Sequence, residues 1–229
     1  MSISSTAKSG LPDADQKSAM DRMYRVQRHI YDLTRAYYLL GRDRLISELR
    51  LADGQSALEI GCGTGRNLLR AAKLYPQGRF FGVDISDEML KTACQKTAAA
   101  GFSPRIVLAQ ADATGFDPKS ALGQQRFDRI YFSYTLSMIP NWQRALAEAV
   151  QHLEPQGQVM IVDFGSCERL PHIFRKLLWQ WLSLFGVKPR PDLASVLAEL
   201  AEATGSRVTI GQSHFGYAIH ARFMKSGKQ

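Results

Sequence analysis

Ala57-Leu-Glu-Ile-Gly-Cys-Gly-Thr-Gly-Arg-Asn67 decides how the 229-residue chain is read. A short apolar run enters three alternating glycines, Gly61, Gly63 and Gly65, and a helix-compatible run follows. Glycines in such a turn let the backbone bend tightly and let a ligand approach closer than a Cβ allows. The spacing is G-x-G-x-G behind an acidic residue, Glu59. A dinucleotide fingerprint, G-x-G-x-x-G, would need glycine where Arg66 stands, and there is no Walker lysine–serine pair.

Outward from this loop, short apolar runs alternate with helical patterns. Strands are expected at Ala57–Ile60, Phe80–Asp84, Arg105–Ala109, Phe127–Phe132 and Val159–Asp163. Helices are expected near Asn67–Leu74, Asp87–Ala100 and Trp142–Leu153. This alternation predicts βαβ units, and hence an α/β, doubly wound, mostly parallel sheet. Arg207–His214 and Tyr217–Met224 meet around Gly216 with no room for a crossover helix, which makes one late strand antiparallel.

Two further carboxylates fall at strand ends. Asp84 lies 19 residues after Gly65 and can accept from both hydroxyls of a ribose. Asp112 follows the third strand and can accept from an exocyclic amine. Either alone could be a helix cap or turn residue; together around one glycine loop they define a nucleoside site.

This ensemble resembles the class I S-adenosylmethionine-dependent methyltransferases over about residues 55–165. The resemblance implies a seven-stranded, Rossmann-like sheet and S-adenosylmethionine as cofactor, with S-adenosylhomocysteine as product. It implies that Glu59, Gly61, Cys62, Gly63, Gly65 and Asn67 form the loop beside the methionine part. It further implies that Asp84 binds ribose, Ile85 packs on adenine, and Asp112 with Ala113 reads the adenine edge. Ser133 and Tyr134, just past the fourth strand, would face the transferred methyl, Ser133 touching the cofactor as well.

The acceptor is sought in the flanks. The net charge is +8, and it is uneven. Residues 1–50 carry 9 basic and 6 acidic side chains, residues 51–164 carry 11 of each, and residues 165–229 carry 9 and 4. A neutral middle between basic flanks points to an anionic partner, or to no more than a solvated basic surface. Residues 1–17 read as a mobile tail, 18–50 as an N-terminal helical lid, and 51–229 as the cofactor-binding domain, with 165–205 a helical substrate or membrane segment. Tyr24, Arg28, Tyr31, Arg35 and Tyr38 are spaced to form one stripe of the lid helix, opposite Val26, Ile30, Leu33, Tyr37 and Leu40. The stripe is either a solvated face or a surface whose arginines hold an anion and whose tyrosines face a cation.

Between Ile173 and Phe185, nine of thirteen residues are apolar, with two tryptophans beside Arg175 and Lys176. That pattern fits a helix at a membrane interface, a core helix or a dimer contact, which leaves a homo-oligomer open. Arg175 and Lys176 argue against a bilayer span there, and Met1–Met20 lacks the apolar core of a secretory signal. Three cysteines without metal spacing read as reduced thiols, and the histidines show no metal motif.

Residues 20–46 followed by the glycine loop are similar to the bacterial betaine-lipid methyltransferases, closely over about residues 20–70. That similarity implies conversion of diacylglyceryl-homoserine to diacylglyceryl-trimethylhomoserine by three methyl transfers, with Tyr24, Arg28, His29, Tyr31 and Asp32 bordering the site. It implies a lipid headgroup amine as substrate, no metal, and a cytoplasmic enzyme held peripherally at the anionic inner face of the cell membrane. Methylation of phosphatidylethanolamine or another small-molecule amine is the near alternative, and a cofactor-binding protein that no longer transfers methyl is a more distant one. A nucleic-acid substrate is disfavoured, since Phe132-Ser-Tyr-Thr135 stands where a base methylase would carry N-P-P-Y.

Overall fold

The computed structural model describes residues 39–227. The expected tail, most of the expected lid helix, and Tyr24, Arg28, His29, Tyr31 and Asp32 lie outside the described residues.

Seven strands form one sheet: β1 Ser56–Ile60, β2 Arg79–Asp84, β3 Ile106–Gln110, β4 Phe127–Ser133, β5 Leu153–Phe164, β6 Arg207–Ser213 and β7 Ala218–Met224. Their order is β3-β2-β1-β4-β5-β7-β6. Pairings from β3 to β5 are parallel, and β7 runs antiparallel to both β5 and β6. The expected doubly wound sheet with one late antiparallel strand is therefore the observed one. All five residues of β1 are buried, as a central parallel strand covered on both faces requires.

Among the described residues, seven helices cover the sheet: α1 Arg42–Ser47, α2 Arg66–Leu74, α3 Asp87–Ala99, α4 Pro118–Leu122, α5 Trp142–Gln151, α6 His172–Ser183 and α7 Leu193–Ala203. Side chains of α1, α2, α3 and α6 pack into one core cluster. Those of α4, α5 and α7 pack into the other. Local signals set the helix starts. The Ser86 hydroxyl accepts from the Met89 N–H ahead of α3, whose first turn carries Asp87 and Glu88. Asp117 caps α4, and Pro118 opens it.

Three elements differ from the sequence expectation. Of the helix expected over residues 18–50, the described part is helical only at Arg42–Ser47, after Gly41 with a φ of 83°. β5 starts six residues early, because fully buried Leu153 pairs with Phe127. The intervening residues bulge, Gln156 taking a φ of 65°, before pairing resumes at Gln158. The short α4 carries no periodic signal.

The exit of β5 is tightly built. The Gly165 N–H donates to the Tyr217 carbonyl at 2.8 Å, and the Cys167 N–H to the Gly216 carbonyl at 2.9 Å. A Cβ on Gly165 would lie 2.3 Å from the Gly216 carbonyl oxygen. Backbone cannot step aside as a side-chain tip can. Gly165→Ala is expected to cost about 1–3 kcal/mol in urea unfolding; wild-type stability would contradict this close approach.

Candidate functional site

The strand order reverses at the β1/β4 boundary, where open α/β sheets form a crevice at their carboxyl ends. A cavity of about 320 Å³ lies there, within the range of small-molecule sites. Its lining brings together Glu59, Gly61, Cys62, Gly63 and Asn67. It also brings Asp84, Ile85, Asp112, Ala113, Ser133 and Tyr134. Gly65 is not part of that lining. It has a φ of 76° at the start of α2, and a Cβ there would sit 3.1 Å from that of Ala93, so it serves the packing of α2 on α3.

The loop is held by backbone and carboxylate together. The N–H groups of Gly61 and Cys62 both donate to the Val83 carbonyl, at 2.8 and 3.0 Å. Gly61 has a φ of 73°, and a Cβ would lie 2.2 Å from the Thr135 methyl. Asp84 accepts from the Gly63 N–H at 2.8 Å through Oδ2 and from the Ser86 N–H at 2.9 Å through Oδ1. Asp112 accepts from the N–H and the hydroxyl of Thr114, both at 2.8 Å.

Glu59 is 1% exposed. The Asn67 amide donates to its Oε1 at 2.7 Å, and the Tyr131 hydroxyl donates to its Oε2 at 3.3 Å. Burial pushes its carboxyl up to about 8, against the pull of those two bonds and of the nearby Arg42 charge. The Cys62 thiol is raised by burial as well, so it is no thiolate nucleophile.

Ser133 Oγ is buried at the cavity wall, with no hydrogen-bond partner among the described residues. Tyr134 takes a φ of 58°, donates its hydroxyl to the Leu40 carbonyl at 2.6 Å, and sets its ring edge-on to Phe164. The cavity therefore meets the ring of Tyr134, while its O–H holds the chain just ahead of α1. That link also explains a residue that sequence reasoning passed over. Arg42 is 8% exposed and lines the cavity, because Leu40 is tied to Tyr134.

The segment after Tyr134 forms the facing wall with Thr135, Met138, Ile139 and Pro140. It too was passed over, although it follows Ser133 directly in sequence. Buried Asp163 fixes it by accepting the Ser137 N–H at 3.1 Å, and the Arg190 guanidinium donates to the carbonyls of Leu136 and Ile139 at 3.0 and 2.6 Å. Among the described residues, no group of three or more His, Cys, Asp or Glu is placed to hold a metal.

A glycine loop no side chain can enter, a strand-end carboxylate and an orphan serine hydroxyl fit a nucleoside-bearing methyl donor. Fold and site together define a class I, Rossmann-like methyltransferase. The comparisons agree: residues 51–188 match the family model described as a methyltransferase domain, and the chain belongs to that family. A tRNA1(Val) (adenine(37)-N6)-methyltransferase of Porphyromonas gingivalis is 33% identical over 126 residues, 47% of this chain and 49% of that protein. The chain thus spans about half the length of that relative. A 2-phytyl-1,4-naphtoquinone methyltransferase of Trichormus variabilis is 27% identical over 85% of both chains. The structure of an S-adenosylmethionine-dependent methyltransferase from Aquifex aeolicus superposes with a TM-score of 0.62 at 18% identity, over 90% of this chain and 97% of that one.

Folded Glu59 keeps its proton up to about pH 8, whereas an ordinary glutamate loses it near 4.5. Between those values the folded state binds more protons than the unfolded state, so this group's contribution to stability falls as pH rises. Glu59→Gln keeps the neutral shape and removes the titration. Measured without donor, the variant's melting temperature should gain on wild type from about pH 5 to about pH 8.5; a constant difference would show that Glu59 is ionised in the fold.

Proposed function

We propose that the protein is an N-methyltransferase of a lipid headgroup amine, converting diacylglyceryl-homoserine to diacylglyceryl-trimethylhomoserine in three successive transfers at the inner face of the cell membrane. The two-sided cavity supports this reading. Carboxylates and the glycine loop line one side for the donor, and Tyr134, Met138, Ile139 and Pro140 offer an aromatic and apolar wall on the other. The headgroup is suggested by the similarity of residues 20–70 to the betaine-lipid methyltransferases.

In this proposal Gly61, Cys62 and Gly63 lie along the methionine part, with Glu59 positioning them through Asn67. Asp84 takes the ribose hydroxyls, Ile85 packs on adenine, and Asp112 with Ala113 reads its edge. Ser133 Oγ and the Tyr134 ring face the reacting methyl. Tyr24, Arg28, His29, Tyr31 and Asp32 border the acceptor. S-adenosylmethionine, when bound, supplies an electrophilic methyl. The neutral amine forms its N–C bond as the C–S bond breaks, so the protein contributes mainly proximity and alignment. An ammonium must lose a proton before each transfer, and His29 or Asp32 accepts it. The third transfer leaves a fixed cation, which tyrosine faces stabilise.

A second reading is methylation of a phytylated naphthoquinone, favoured by the alignment over 85% of both chains with the Trichormus enzyme. Base methylation, as in the Porphyromonas relative's name, is not adopted. Phe132-Ser-Tyr-Thr135 stands at the end of β4, where a base methylase would carry N-P-P-Y.

Two measurements test the assignment. Asp84→Ala removes a charged acceptor of several hydrogen bonds and should weaken donor binding in calorimetry roughly a hundredfold or more; unchanged affinity would overturn the nucleoside placement. Expression in a bacterial host supplied with the homoserine lipid should add three successive methyl masses to it in lipid mass spectrometry. Methyl masses on phosphatidylethanolamine, or a single one on a naphthoquinone, would replace the acceptor named here.

A further inference from the structure

Helix α6 carries an exposed apolar stripe. Leu178 and fully buried Leu182 turn it toward the core. Ile173, Phe174, Leu177 and Leu184 are 57–76% exposed, and Trp181 is 38% exposed. At roughly 100° per residue these five fall within an arc of about 100°. Lys176, Gln180 and Ser183 flank that arc on its solvent side. A run of exposed large side chains on one helix is a contact surface rather than scattered surface apolarity.

A second exposed apolar residue lies on a different element at the same end of the sheet. Phe215, at the turn between β6 and β7, is 71% exposed. His214, Phe215 and Gly216 take φ values of 53°, 58° and 83°, three left-handed residues in succession. For the two that are not glycine this conformation costs about 1 kcal/mol or more each. The turn packs on the Gly165–Cys167 segment through the two hydrogen bonds already described, and α6 begins five residues after Cys167.

The two groups share an edge of the sheet with the cavity. β7 begins at Ala218, paired with Phe164, so the β6–β7 turn lies at the carboxyl end of β5. α6 also leaves from that end, and the loop that follows it reaches the segment forming the cavity wall. The Lys188 N–H donates to the Ser137 carbonyl at 2.9 Å, and the Arg190 guanidinium holds Leu136 and Ile139.

The charge of this segment selects the partner. Residues 165–192 carry five basic side chains, Arg169, Arg175, Lys176, Lys188 and Arg190, and two acidic ones, Glu168 and Asp192; Arg190 is turned to the cavity wall, which leaves four basic side chains for a partner. An exposed apolar stripe with tryptophan and a lysine flank is the pattern of a helix lying in a lipid interface, and the basic excess complements anionic headgroups.

We infer that the α6 stripe and Phe215 form a two-point docking surface for an anionic phospholipid bilayer, on the same edge of the sheet as the methyl-donor cavity. The inference rests on the lipid-substrate reading for its purpose, but its test does not. The full chain is sedimented with vesicles of phosphatidylglycerol and phosphatidylcholine, containing neither an amine acceptor nor a quinone. Wild type should bind phosphatidylglycerol-rich vesicles, less so at high salt. Phe215→Ser and the double variant Ile173→Ser/Phe174→Ser should each lower partitioning at least tenfold, with donor affinity unchanged. Val107→Ser, at a residue 40% exposed on the opposite edge strand β3, should bind as wild type. Absence of wild-type binding would overturn the inference, as would full binding by either α6 or Phe215 variant. Conversion of a dimer to a monomer by those variants, without loss of vesicle binding, would assign the surface to a second copy instead. Retained docking with no methylation of the homoserine lipid would leave the surface standing and sink the acceptor alone.

Discussion

Gly61 and Thr135 approach so closely that no side chain fits between them, and the donor side of the molecule is built around that contact. β1 and β4 run side by side until Ile60 and Ser133, where their chains part. The loop after β1 must turn beneath the segment after β4, and only a left-handed glycine lets it do so. Once turned, the loop gives the Gly61 and Cys62 N–H groups to the Val83 carbonyl near the end of β2. The Gly63 N–H finds the Asp84 carboxylate on the neighbouring β2, and the Ser86 N–H finds the same group from the far side. A single carboxylate thus fixes two loops before any ligand arrives. Such preorganisation spares a ligand the entropy of ordering them.

Glu59 extends the same logic below the loop. A fully buried carboxyl that keeps its proton exchanges a charge-burial penalty for two neutral hydrogen bonds. Asn67 is thereby pinned at the start of α2, directly behind the glycines. On the other side of the cavity the wall is held from underneath by Asp163 and from outside by Arg190. Donor loop and facing wall are both tied to strand ends. Geometry across the cavity follows from the sheet, not from mobile side chains.

Much of this was legible in sequence because it is local. Alternating glycines, a carboxylate at the end of each early strand and capping residues act within a few positions, and each leaves a residue-type signature. What escaped was placed by contacts far apart in the chain. Arg42 reads as one more basic residue of a helical stretch until the Tyr134 hydroxyl, 94 positions away, captures the Leu40 carbonyl. Gly65 looks equivalent to its two partners, and only the neighbouring Ala93 reveals that it packs a helix instead of lining the cavity. The α6 pattern left membrane, core and dimer open, because periodicity tells which residues share a face and not what the face meets. The exposure of Ile173, Phe174 and Leu177 removes the core reading for that stripe. Phe215, a lone phenylalanine in a turn, carried no signal at all.

The carboxyl edge of the sheet gathers these features for a structural reason. In a doubly wound sheet the strand interiors are covered by helices on both faces, so variation is confined to the loops at the strand ends. The donor cavity must sit where β1 and β4 diverge, which is at the carboxyl end. The antiparallel β7 adds the β6–β7 turn to that same edge, and the long connection after β5 adds α6. An acceptor amine carried on a lipid can leave the bilayer only as far as its headgroup reaches. If the acceptor is the lipid amine proposed above, uniting the cavity and an exposed apolar helix on one edge would bring the donor to it with no need to extract the lipid into water.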